Sequence, residues 1–90
     1  MKPIRWTPHA LQNLVDREVA RAEADGTLAQ PEFIVPGQFP RLVHMRRYFD
    51  SLLQKEMLLR IIIEETTEEM VVVSVYKTSQ IERYLKGLAP

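Results

Sequence analysis

The residues of this chain that could do chemistry lie mostly between Arg41 and Lys77. Arg41, His44, Arg46, Arg47 and Tyr48 crowd one short stretch, Arg60 interrupts an apolar run, and Tyr76-Lys77 follow a run of valines. Arginine offers a planar fork that grips a phosphate through two N–H groups at once, which lysine cannot reproduce. Tyrosine can stack on a base or donate a proton, and histidine exchanges a proton near neutral pH. His9 stands apart, just after Thr7-Pro8. A helix N-terminus there would suit a phosphate; a histidine packed between helix start and sheet is the other reading. Tyr76-Lys77-Thr78-Ser79 sets a cation beside a second helix start, although a cap would compete for the same amides. His9 and His44 show no H-x-x-x-H or paired-carboxylate spacing, and the chain has no Cys. No metal site or cofactor is therefore expected.

A scaffold of 90 residues must position these groups, and that length suits one domain spanning 1–90. Hydrophobic residues make up 46% of the chain, enough for one modest core. The longest apolar runs, Ile61–Ile63 and Met70–Val73, are far too short to cross a bilayer. The first six residues lack the apolar stretch of a secretory signal, so a cytoplasmic protein is the expectation. Lys and Arg total 12, as do Asp and Glu. A nucleic-acid role must therefore rest on a local patch rather than on net charge.

The pattern of elements follows from breakers and periodicity. Ile4–Trp6 suits a short edge strand, and Thr7-Pro8 is a helix entry, with a hydroxyl cap and a proline at the first helical position. Leu11, Val15 and Val19 fall four apart with Leu14 beside them, giving one apolar helix face. A break near Val19–Arg21 separates a second helix that Pro31 ends. Phe33–Val35 reads as a short strand. From Arg41 to Phe49 the chain alternates, with Leu42, His44, Arg46 and Tyr48 on one face and Val43, Met45 and Phe49 on the other. Asp50–Lys55 is a turn. Met57–Glu65 and Met70–Tyr76 have the Ile and Val density of central strands, joined by a solvated acidic tip, Glu64–Glu69. Ser79-Gln80-Ile81-Glu82 matches a capping box that opens a last helix, ending near Gly87.

The fold class is α+β: two N-terminal helices packed on one face of a mainly antiparallel sheet, with a C-terminal helix. Val43, Met45, Leu59, Ile61, Ile63, Val71, Val73 and Val75 are expected to face those two helices. His44, Arg46, Tyr48, Arg60, Ser74 and Tyr76 are expected on the opposite, open face. Shared parity of Arg60 and Ser74 requires an odd-length loop or a bulge around Thr67.

Three motifs within this order resemble the RelE/ParE-like superfamily of small bacterial toxin folds, and within it the BrnT-type group. They are Trp6-Thr7-Pro8-His9-Ala10; Arg17–Glu23 with Leu28 and Pro31-Glu32; and Val71–Tyr84, running through Tyr76-Lys77-Thr78-Ser79. Members commonly carry an arginine four residues after the histidine, where this chain has Asn13. The resemblance implies RNA cleavage or gyrase inhibition, usually with an antitoxin partner. Cleavage through the ribose 2′-hydroxyl needs a base, a cation for the phosphorus centre and an acid for the leaving oxygen. On that reading Arg46, Arg60, Tyr76 and His44 are the candidate catalytic residues. Arg41, Arg47, Lys77, His9 and Tyr48 are the candidate RNA contacts. The competing reading keeps the fold without the chemistry, as a protein-interaction module that pairs with a partner or with a second copy.

Overall fold

Thr7 and Pro8 open the first helix as their chemistry requires: the Thr7 hydroxyl accepts the Ala10 N–H at 3.1 Å, and Pro8 takes the first helical position. The computed structural model describes residues 2–88. Its elements run β1 (Ile4–Trp6), α1 (Pro8–Asp16), α2 (Arg21–Ala29), β2 (Phe33–Pro36), β3 (Arg41–Asp50), β4 (Lys55–Glu65), β5 (Met70–Thr78) and α3 (Ile81–Leu85). The architecture is α+β. Five strands form one sheet in the order β1-β5-β4-β3-β2. Only β1 runs parallel to its neighbour β5; the other pairings are antiparallel. Helices α1 and α2 lie between β1 and the rest of the sheet in sequence, which supplies the crossover a parallel pair needs.

The apolar residues divide into two clusters. Ala10, Val19, Ala24 and Leu28 from the N-terminal part pack with Leu59, Ile61, Ile63, Val72 and Val75. Val43, Met45 and Leu58 form the second cluster, with Phe33, Val35, Ile62 and the α3 residues Ile81, Tyr84 and Leu85 against it. Because side chains alternate along a strand, the odd residues of β4 serve the first cluster and the even ones the second.

This division corrects the expected core. Val43 and Met45 do not join Leu59, Ile61 and Ile63. The turn between β3 and β4 decides the matter: Asp50 pairs with Lys55, leaving a four-residue loop, Ser51–Gln54. The Asp50 carboxylate accepts the Leu52 and Leu53 N–H groups at 3.0 and 3.1 Å, and Gln54 adopts φ 55° to close the turn. That loop length sets Met45 opposite Arg60 and His44 opposite Ile61. Every even residue of β3 therefore shares a face with an odd residue of β4, the reverse of the expected parity.

The β4–β5 hairpin contains the required irregularity, displaced from the expected place. Arg60 pairs with Tyr76 and Ile62 with Ser74, but Ile63 pairs with Val72, so Val73 is the extra residue of a β-bulge. The loop itself is Thr66–Glu69, in which the Thr66 hydroxyl accepts the N–H groups of Glu68 and Glu69. The bulge switches the face presented by β5. Val72 and Val75, rather than the expected Val71, Val73 and Val75, enter the α1–α2 cluster.

Two helices also depart from expectation. On α1 the residues buried are Ala10 and Asn13, whereas Leu11 is 43% and Val15 71% exposed. The helix lies along the open edge of β5, where backbone groups need partners, and the polar side chains meet that need. Asn13 Oδ1 accepts the Val75 N–H and the Ser74 hydroxyl, both at 3.0 Å, and Arg17 donates to the Val75 carbonyl at 2.8 Å. At α3 the capping box does not form. Gln80 is the N-cap residue and makes no side-chain cap bond, while Thr78 Oγ1 accepts the Gln80 N–H.

Candidate nucleic-acid interface

The even residues of β4 and β5 bring two of the expected site residues together. Arg60 and Tyr76 are direct partners across the ladder. The Arg60 guanidinium lies 5.1 Å from the Tyr76 ring and 4.1 Å from the ring of Tyr84, which α3 carries over the same face. Its Nε is 3.3 Å from Met45 Sδ. Burial pulls the Arg60 pKa down from its ordinary value, and Tyr84 partly offsets this. Two more arginines join from outside: Arg17, the C-cap of α1, is 5.9 Å from the Tyr76 ring, and Arg83 is 5.7 Å from the Tyr84 ring. Each contact lies within cation–π range. Among the described residues, none of Arg17, Arg60 and Arg83 has a carboxylate at ion-pair distance.

The remaining basic candidates are engaged elsewhere. Arg41 meets Glu64 at 3.3 Å, and Arg47 forms a forked pair with Glu32 at 2.9 and 3.1 Å. The Arg47 side-chain and backbone bonds hold the Glu32 carboxyl at about 2. The expected shared face of His44, Arg46 and Tyr48 with Arg60 and Tyr76 is not formed, because the β3–β4 register reverses it. Arg46 turns to α2 and donates to the Gly26 carbonyl at 3.0 Å, in the last turn where the helix dipole favours a cation. His44 is 4% exposed, and neither ring nitrogen has a partner. Burial pushes its pKa down, so at neutral pH it is an uncharged core residue. His9 is exposed in the first turn of α1.

Tyr48 and Lys77 meet at Asp50, the last residue of β3, where a turn was expected. Lys77 donates to Asp50 Oδ2 at 2.7 Å and to the Glu18 carbonyl at 2.9 Å; the Tyr48 hydroxyl donates to Asp50 Oδ2 at 3.1 Å. These bonds, Lys77 first, hold the Asp50 carboxyl down at about 2. Burial, with Asp50 adjacent, raises the Tyr48 pKa. Glu18 sits at φ 53°, so Lys77 also fixes the break between α1 and α2. Both side chains are engaged in this internal network.

What remains is an arginine–tyrosine cluster without an adjacent histidine. Such a group can grip phosphate through guanidinium forks and stack bases on ring faces. It does not by itself offer a base near neutral pH, since tyrosine ordinarily titrates near 10. Arg17, Arg83 and Tyr84 were missing from the expected site. Arg17 reads as polar helix surface and Tyr84 as packing, and only the Arg60–Tyr76 pair of the sheet, which each of them touches, joins them. Among the described residues, no three His, Cys, Asp or Glu side chains gather as a metal site, and no helix is long and apolar enough to cross a membrane. Comparison with protein-family models, curated proteins and solved structures finds no match to this chain.

Proposed function

We propose that this protein binds single-stranded RNA through Arg17, Arg60, Arg83, Tyr76 and Tyr84, as an RNA-binding component of a bacterial toxin–antitoxin type of system. The observation carrying this reading is the sorting of the arginines. Those with carboxylate partners, Arg5, Arg21, Arg41 and Arg47, lie outside the cluster; of the four without one, Arg46 is held by the Gly26 carbonyl, and Arg17, Arg60 and Arg83 converge on two tyrosine rings. An arginine left without an acid partner keeps its charge available to a phosphate. Binding is assigned rather than cleavage, because His44 is buried on the other side of the sheet and Arg46 is committed to α2.

The test is fluorescence anisotropy of a labelled single-stranded RNA with purified protein at two salt concentrations, with a duplex of the same sequence as comparison. The single strand should bind better, and affinity should fall as salt rises, since displaced counterions drive phosphate binding. Wild-type protein with no salt-sensitive binding would sink the reading. The second reading, a non-catalytic protein-interaction module, is favoured by one observation: Phe49, Leu52 and Leu53 stand exposed together around the β3–β4 turn. Apolar groupings of that kind commonly mark interaction surfaces.

A further inference from the structure

The end of the molecule around Ser51–Gln54 combines that exposed apolar group with uncompensated acid. A cleft of about 110 Å³ is lined by Glu18, Glu23, Phe49 and Leu52 among others. Asp50, in the same lining, is already neutralised by Lys77. Glu18 and Glu23 have no ion-pair partner among the described residues. Phe49 is 62% and Leu52 69% exposed, so the cleft has an acidic wall and an apolar rim. It calls for a segment that is basic and apolar at once.

The chain itself supplies such a segment. Arg83 and Lys86 project from α3 and the turn after it, both exposed, and Leu88 follows with its side chain also exposed. Neither cation has an acid partner among the described residues. We infer that the surface around the cleft beside Glu18 and Glu23 docks against the exposed Arg83, Lys86 and Leu88 side chains of the Arg83–Leu88 segment of a second copy of this chain. Opposite charges meet across the contact, Leu88 covers the Phe49–Leu52 rim, and zero net charge leaves no long-range repulsion between copies. When each copy both gives and receives its segment, the contact is isologous and closes at two. A short segment buries less than the roughly 1,600 Å² of a standard interface, so the dimer is concentration-dependent rather than permanent. The inference does not rest on the RNA reading. Arg83 serves both surfaces, however, so RNA and dimerisation compete.

Sedimentation equilibrium of the full chain over a range of concentrations tests it. Wild type should pass from monomer to dimer, less readily at high salt. Glu18→Lys with Glu23→Lys should raise the dissociation constant by about tenfold or more, and so should Arg83→Glu with Lys86→Glu. Mixing the two doubly reversed variants should restore dimers, because each cleft then faces a segment of opposite charge. A wild type that stays monomeric throughout, self-association that neither variant alters, or a mixture that fails to recover would each overturn the inference.

Discussion

Arg60 holds the centre of the proposed interface, and its surroundings explain how it can be both buried and available. Two tyrosine faces and a thioether replace part of its water, and no carboxylate spends its charge. Arg60→Ala should weaken RNA binding by about 1.5–3 kcal/mol, the range for a charge-assisted bond, with the fold retained. Anisotropy beside a circular-dichroism melt would check both halves of that statement. His44 makes the opposite use of burial. The unfolded chain binds its proton near pH 6.5, whereas the folded chain, with the pKa pushed down, binds it only at lower pH. More protons are therefore bound when unfolded, and stability should fall as pH drops below about 6.5. Urea midpoints at pH 7.5 and 5 should differ in that direction, and His44→Leu should shrink the difference. An unchanged midpoint across that interval would contradict the buried, neutral imidazole.

At the scale of elements, side chains complete what the sheet leaves open. Asn13 takes the place of a strand partner for Val75, so Asn13→Ala leaves a buried N–H unmet and should cost about 1–3 kcal/mol in chemical denaturation. That residue stands where the resemblance would put an arginine, and its role here is architectural. Lys77 binds the ends of β3 and β5 to the α1–α2 break, with Asp50 5% exposed. Lys77→Met strands a buried carboxylate and should destabilise by about 3 kcal/mol or more. Helix α3 is the weak element: five residues, none buried, no side-chain cap. So short a helix depends on its packing. Tyr84→Ala should leave its amides nearly unprotected in hydrogen exchange while those of β4 and β5 stay protected.

Element order was legible throughout the sequence, since it rests on local signals: Thr7-Pro8, Pro31, the valine and isoleucine runs and the alternation of β3. What could not be read was which faces meet. Asp50–Lys55 reads as a turn in any length, yet one residue more or less flips every side chain of β3 relative to β4. His44 and Arg46 left the expected site for that reason alone. The bulge at Val73 acted likewise on β5. Leu11 and Val15 form a true helical stripe, but the edge of β5 demanded Asn13 and Arg17 instead, and no periodicity records that demand. Arg60 and Tyr76 share a face because that same bulge offsets the even-length Thr66–Glu69 loop.

At the scale of the whole molecule, balanced charge does not preclude binding a polyanion if the cations that matter are kept free of acid partners. Six basic residues, at positions 2, 5, 21, 41, 47 and 77, are held in ion pairs, and the arginines of the cluster are not. The direct measurement is an NMR titration that follows arginine Nε–Hε resonances as a short single-stranded RNA is added at moderate salt. Arg17, Arg60 and Arg83 should shift together and saturate at one RNA concentration, while Arg5, Arg21, Arg41 and Arg47 hold still. Shifts confined to Arg41, Arg46 and Arg47, or no shift in any of them, would contradict the account.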